Sequence, residues 1–368
     1  GDASINIYQG TTFGNAGAAA VDNVDGDLTN SITVSGSVDT STIGTYTINY
    51  DISDAAGNAA TTVTRTVVVK DSETQTLSLK AGWNLVSFYV EASDMTAATV
   101  LAPISSSLLQ IKNLTSSYDP SIPSFLNTLS SLSVKDGYWL KVSEDVSLDV
   151  EGTVPSGASI SVKSGWNLVG YPRSSGESAS GELTSLGSTI VQIKNLTSSY
   201  DPSIPSFLNT LSTMVPGLGY WLKVSADGTW TVGTVSESGS GRGLGKMGPV
   251  QKMGWGSVMV YPHVSATVLS EVSVGGKPVS KGSVVGAFVG EELRGEHEVV
   301  LANGKSYATL NVNLAKAQRV TYRIWEGETN TEYGVTKTMT LHMGETYGSA
   351  EALVMLDGVV PAERPVLR

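Results

Sequence analysis

The chain has 368 residues, of which 40% are hydrophobic and only 15% charged, and it contains 40 glycines and no cysteine. That length asks for more than one core, and the missing thiols exclude disulfides, thiolate metal sites and cysteine nucleophiles. A net charge of −11 speaks against a nucleic-acid ligand, since phosphates must be met by a basic stripe and none is visible.

A mixture rich in Gly, Ser, Thr and Val favours strands joined by tight turns, so the expected class is all-β, built as serial β-sandwich modules. No window reaches the roughly 18 uninterrupted apolar residues of a spanning helix, so no membrane span is expected. No basic segment followed by an apolar one opens the chain, so any export signal is read as already removed.

The first region, residues 1–72, alternates polar and apolar residues in TYTINYDIS (Thr45 to Ser53) and TTVTRTVVVKD (Thr61 to Asp71), which predicts two half-buried strands. Before them, Asp22, Asp25 and Asp27 fall within six residues, and Asp51, Asp54 and Asn58 follow on a second acidic stretch. Eight acids face two bases over residues 1–71, a net of −6. Hard oxygens at that density suit Ca²⁺, and Asp22, Asp25, Asp27, Asp54 and Asn58 are the candidate ligands of the one cofactor considered, calcium. The spacing is not that of an EF-hand, and Asp and Asn also make turns in their own right, the commoner use.

An internal repeat then organises the middle of the chain. LQIKNLTSSYDPSIPSFLNTLS (Leu109 to Ser130) returns as VQIKNLTSSYDPSIPSFLNTLS (Val191 to Ser212), changed only at its first residue. Gly-Trp-Asn-Leu-Val at Gly82 and Gly165, and Gly-Tyr-Trp-Leu-Lys-Val at Gly137 and Gly219, flank the two copies at a period of 82 to 83 residues. The modules expected are residues 73–153 and 154–235. Trp83 with Trp166, and Trp139 with Trp221, sit at equivalent positions inside apolar strand patterns and are expected as buried anchors. Tyr118 and Tyr200, in Ser-Ser-Tyr-Asp-Pro-Ser-Ile-Pro loops, are the candidate exposed contacts for a ligand such as a surface glycan. Asn113 and Asn195 fit a glycosylation sequon and are read as structural. The near-identity of the blocks has two readings, recent duplication and a shared contact surface.

A Ser/Gly-rich linker is expected over 236–250, followed by a C-terminal β-sandwich over 251–357. Its strand patterns are SVMVYPHVSATV, SVVGAFVG, YATLNVNL, RVTYRIWEG and EALVML. The last stretch, 358–368, carries two prolines and reads as an extended tail. All three histidines, His263, His297 and His342, fall in the C-terminal region; they show no metal-ligand spacing, no nucleophile elbow accompanies them, and they are read as strand residues. No catalytic residue is assigned and no enzyme is expected.

The first region resembles a family of bacterial immunoglobulin-like domains, common in exported proteins and first noticed in a pesticidal crystal protein. The likeness is carried by GDASI at Gly1, VDNVDGDLT at Val21, GSVDTSTIGTYTINYDISDAAGN at Gly36 and RTVVVKD at Arg65. It implies a small sandwich used as a spacer or presentation module, secreted or at the cell surface of a bacterium. That family normally opens with a Pro-Val-Ile-Thr-Leu strand before Gly-Asp-Ala, which is missing here, so the resemblance implies an immunoglobulin-like domain lacking its first strand, with an open edge and an uncovered strip of core. Arg364, Pro365, Val366 and Leu367 look like that strand. The function expected is a structural subunit of a surface filament, in which the tail of one copy completes the first domain of the next by donor-strand exchange; an adhesin or carbohydrate-binding array is the alternative. The repeats look like Gly-Trp-Asn-Leu-Val domains of large exported proteins, and Val284–Gly295 and Val320–Tyr333 are similar to β-sandwiches that accompany them.

Overall fold

The computed structural model of the chain describes residues 2–9, 12–233 and 255–360. The linker read over 236–250 and the candidate donor strand Arg364 to Leu367 lie outside the described residues. The all-β expectation holds, with strands in several sheets and only short helical turns. The chain divides into two compact units, Gly1–Gln75 with Val90–Met95 and Asp149–Val154, and Thr76–Tyr89 with Thr96–Leu148 and Pro155–Arg368.

In the first unit, strands Gly44–Asp51 and Val63–Lys70 pair antiparallel. The period-2 pattern turns Ile48, Tyr50, Val67 and Val69 onto one buried face, as residues that alternate across a pleat must. Ser4–Tyr8 joins one side of this pair in parallel and Thr33–Ser35 the other side antiparallel, giving a four-stranded sheet with these two strands at its edges. A separate hairpin, Val21–Asp22 with Gly26–Asp27, lies outside that sheet. Arg65 is buried in this thin core, where it donates to the Asp2 and Gly17 carbonyls, Asn15 Oδ1 and the Tyr50 hydroxyl. Its charge is met by neutral acceptors.

In the second unit each repeat forms the same four-stranded sheet. Gly137–Val142 lies between Gly82–Ser87 and Leu108–Lys112, with Ser117–Tyr118 at the edge; Tyr220–Val224 lies between Gly165–Val169 and Ile190–Lys194, with Ser199–Tyr200 at the edge. The two signature strands of each repeat are thus direct antiparallel neighbours. The copies also join each other reciprocally, Val86 bridging Leu218 and Val169 bridging Asp136. Because those positions correspond under the repeat, the contact is isologous in kind, like that of a two-fold dimer.

The C-terminal region is one continuously hydrogen-bonded sheet of ten strands. It curls around a single core that includes Val268, Val285, Leu310, Ile324 and Leu356. Four of its five strand patterns were read in place. The fifth was not: SVMVYPHV contributes no ladder, and the strand starts only at Ala266. Pro262 cannot donate to a ladder, and Val260 and Val264 instead pack with the tryptophans of the repeats.

Candidate functional site

Three places could carry function, and each is set by local structure. The first is the acidic cluster. Asp22 Oδ1 accepts from the Val24 and Asp25 amides, at 2.8 and 2.9 Å, and Asp27 Oδ1 accepts from the Thr29 amide at 2.9 Å. Asp25 Oδ2 accepts from the Ala55 amide, and Asp54 accepts from both the amide and the side chain of Asn58. These bonds hold the carboxyls of Asp22, Asp27 and Asp54 below the usual range, through the Asp25 amide for Asp22, the Thr29 hydroxyl for Asp27 and the Asn58 side chain for Asp54. Asp22, Asp27, Asp54 and Asn58 are therefore engaged in local turns, while Asp25 ties its own turn to the Ala55 segment. Among the described residues no group of three or more acids and histidines is arranged to hold a metal ion.

The second is a groove of about 470 Å³ in the first unit, lined by Ala18, Ala20, Leu28, Ile32, Ile52 and Val63 among others. Small side chains leave it open, and Asp22 and Asp54 also line it. Its size falls within the ~300–1,000 Å³ of ordinary binding clefts.

The third is the pair of repeat faces. In the second repeat Lys194 is fully buried; its Nζ donates to the Ser265 carbonyl and, at 3.1 Å, to Thr267 Oγ1, and it lies 4.7 Å from the centre of the Trp166 ring. Burial, with Lys223 nearby, pulls its pKa down to about 7. Trp166 Nε1 donates to the Gly344 carbonyl at 3.1 Å, Thr309 Oγ1 donates to the Leu208 carbonyl at 2.7 Å, and the Phe207 and Tyr307 rings meet at 4.9 Å. The second repeat thus seats the C-terminal sheet. In the first repeat the matching Phe125 is 83% exposed and Leu126 55% exposed.

Tyr118 and Tyr200 are half-buried in their short strands, opposite Ile111 and Ile193, and Tyr200 packs on the core of its repeat. Trp139 and Trp221 are buried as expected, in a cluster with Leu85 and Leu168 where the repeats meet. Trp83 and Trp166, expected as buried, are only half-buried, and each carries two lysines over its ring, Lys112 and Lys141 on one and Lys194 and Lys223 on the other. Of the histidines only His297 lies in a strand; His263 precedes Ala266 and His342 follows Leu341. The lysines of the repeat faces went unread in the sequence, although their place in a block repeated without change was the available signal.

Comparison with known proteins bears on the first unit. No curated protein matches the chain. A solved lipoprotein of Bacteroides thetaiotaomicron aligns at 20% identity over 41% of this chain and 95% of its own, with a TM-score of 0.19, too low to argue from. The family model for the immunoglobulin-like domain of bacterial surface proteins matches residues 1–69. The chain therefore carries a bacterial surface immunoglobulin-like domain at residues 1–69.

Proposed function

We propose that the chain is a structural subunit of a bacterial surface filament or stalk, in which an extended segment of a neighbouring copy fills the groove of the immunoglobulin-like domain. The observation that carries this is the groove itself, in whose wall Ala18, Leu28, Ile32 and Val63 stand among polar residues that include Asp22, Asp54 and Asn58, in a domain whose four-stranded sheet ends, among the described residues, in the strands Ser4–Tyr8 and Thr33–Ser35. Residues 364–367 are the segment proposed to fill it. Val366 and Leu367 supply apolar side chains, and Arg364 brings a cation toward Asp22 and Asp54 in the groove wall. A contact of one copy's tail with the next copy's first domain is head to tail, and it grows into an open fibre unless the rotation closes a ring.

Electron microscopy and sedimentation of the full chain test this. Deleting residues 359–368, or filling the groove with Ala60→Trp at an exposed position of its wall, should leave monomers. Assembly unchanged by both variants, or no assembly by the full chain, would overturn the proposal. The glycan-binding alternative has less support, since Tyr118 and Tyr200 are half-buried rather than exposed.

A further inference from the structure

The same 22-residue sequence sits in two environments within the second unit. From Gln192 to Leu208 it is partly covered: Gln192, Lys194 and Leu208 are buried, and the Phe207 ring lies tilted against Tyr307. From Gln110 to Leu126 the identical residues are consistently more open, with Lys112 half-buried and Leu114, Phe125 and Leu126 exposed. The indole N–H of Trp166 is satisfied by Gly344, whereas that of Trp83 finds no acceptor among the described residues. A monomer thus offers two copies of one docking surface and a single sandwich to cover them.

We propose that the face of the first repeat formed by Trp83, Lys112, Phe125 and Leu126 is a second seat for the C-terminal sandwich, filled by the sandwich of a neighbouring copy of this chain. The inference rests on the repeat contacts and is independent of the groove in the first domain. The argument for this occupant is chemical identity. Every side chain that the second repeat uses to hold Ser265, Thr267, Tyr307 and Gly344 has its duplicate on the first, so a surface complementary to one is complementary to the other. Phe125 takes the place of Phe207 against Tyr307, and Lys112 that of Lys194 beneath Ser265 and Thr267.

Access to the seat is linked to exchange. Burial, with Lys112 of the same chain near it, keeps the His263 imidazole below its ordinary pKa, so the Lys112 end of the first face lies close to the segment that precedes Ala266. That segment runs straight into the first strand of the sandwich, and it leaves with the sandwich when the latter moves to another copy. Departure of a chain's own sandwich therefore opens both seats. The two seats being alike, their occupancy is decided by concentration. A seat within the same chain competes at an effective concentration on the order of mM, so exchange between copies belongs to crowded surfaces, or to chains whose own seat has been spoiled.

Three full-chain variants separate the seats. A donor carrying Phe125→Asp and Phe207→Asp has a free sandwich and no usable seat; Phe125 already projects into solvent, so a charge there leaves the repeat folded. Two receptors carry Tyr307→Asp, which unseats their own sandwich, together with Phe207→Asp in one and Phe125→Asp in the other. The first receptor then has only the first-repeat seat, the second only the second-repeat seat. Circular dichroism and melting confirm that all three are folded, and Thr309→Glu replaces Tyr307→Asp should the latter fail. By sedimentation velocity the donor is expected to form a 1:1 complex with each receptor, at affinities within about tenfold of each other. A complex with the second receptor and none with the first overturns the proposal. So does the absence of both complexes, because the second-repeat contact would then not be a transferable seat.

Discussion

Lys112 and Lys194 hold equivalent places in an identical sequence, yet only Lys194 is enclosed without a carboxylate partner. Taking an ammonium out of water disfavours its charge, which is why its pKa is pulled from 10.5 to about 7. The seated form consequently binds fewer protons than the unseated one between these two values. Seating should strengthen as pH rises from about 7 toward 10.5, stay level below that window, and gain on the order of a few kcal/mol across it. Urea unfolding of the full chain at pH 7 and pH 9.5 measures this. Lys194→Met, a near-isosteric apolar replacement, is expected to flatten the difference and to be neutral or stabilising at pH 7; an unchanged slope would mean that another group titrates. What the sequence made legible at this scale was the aromatic residues, since Trp139 and Trp221 announce themselves by size and spacing. A buried lysine was not legible, because lysine is almost never fully buried and the residues that enclose it lie some 70 positions away, at Ser265 and Thr267.

The strands were the most readable elements, and the way they join across repeats the least. Gly-Trp-Asn-Leu-Val and Gly-Tyr-Trp-Leu-Lys-Val are rich in aromatic and β-branched residues, and they form neighbouring strands in both repeats. Nothing periodic marks where one sheet edge meets another, so the junction of Val86 with Leu218 and of Val169 with Asp136 carried no sequence signal beyond the repeat itself. Glycine allows it: a Cβ at Gly137 would lie 2.7 Å from the Val169 carbonyl oxygen, and one at Gly219 would lie 2.6 Å from that of Val86. Each of Gly137→Ala and Gly219→Ala should cost about 1–3 kcal/mol through overpacking. In the cluster they frame, Trp139→Ala and Trp221→Ala should cost about 3–5 kcal/mol each. The indole N–H groups of both tryptophans are buried without an acceptor, so Trp139→Phe should lose no more than about 1.5 kcal/mol, the ring having no hydrogen bond to give up. Denaturant midpoints decide between these values. A Trp139→Phe loss as large as that of Trp139→Ala would show that the indole is held by a polar contact after all.

At the scale of the whole molecule, the bookends of the fold were legible and their completeness was not. The first domain announced itself by its acidic turns and alternating strands, and the repeat by its period, but neither shows how much core each unit buries. Few side chains are fully buried in the first 70 residues, among them Tyr8, Ile48, Tyr50, Val67 and Val69, whereas the second repeat and the C-terminal sheet each surround a cluster of fifteen or more. Since stability scales with the apolar area removed from water, the first unit should unfold first. Calorimetry of the full chain is expected to show a separate low-temperature transition, removed by deleting residues 1–72. Chelator should leave this transition in place, because the oxygens of Asp22, Asp27 and Asp54 are already bonded within turns; a downward shift would instead identify a calcium site there. A peptide with the sequence of residues 361–368 binds only the folded groove under the donor-strand proposal, so it should raise the same transition by mass action, about 2.7 kcal/mol at a hundredfold excess over its Kd. The later transitions should not move. A peptide that shifts them, or that shifts the first equally well in the Ala60→Trp variant, would place its binding outside the groove.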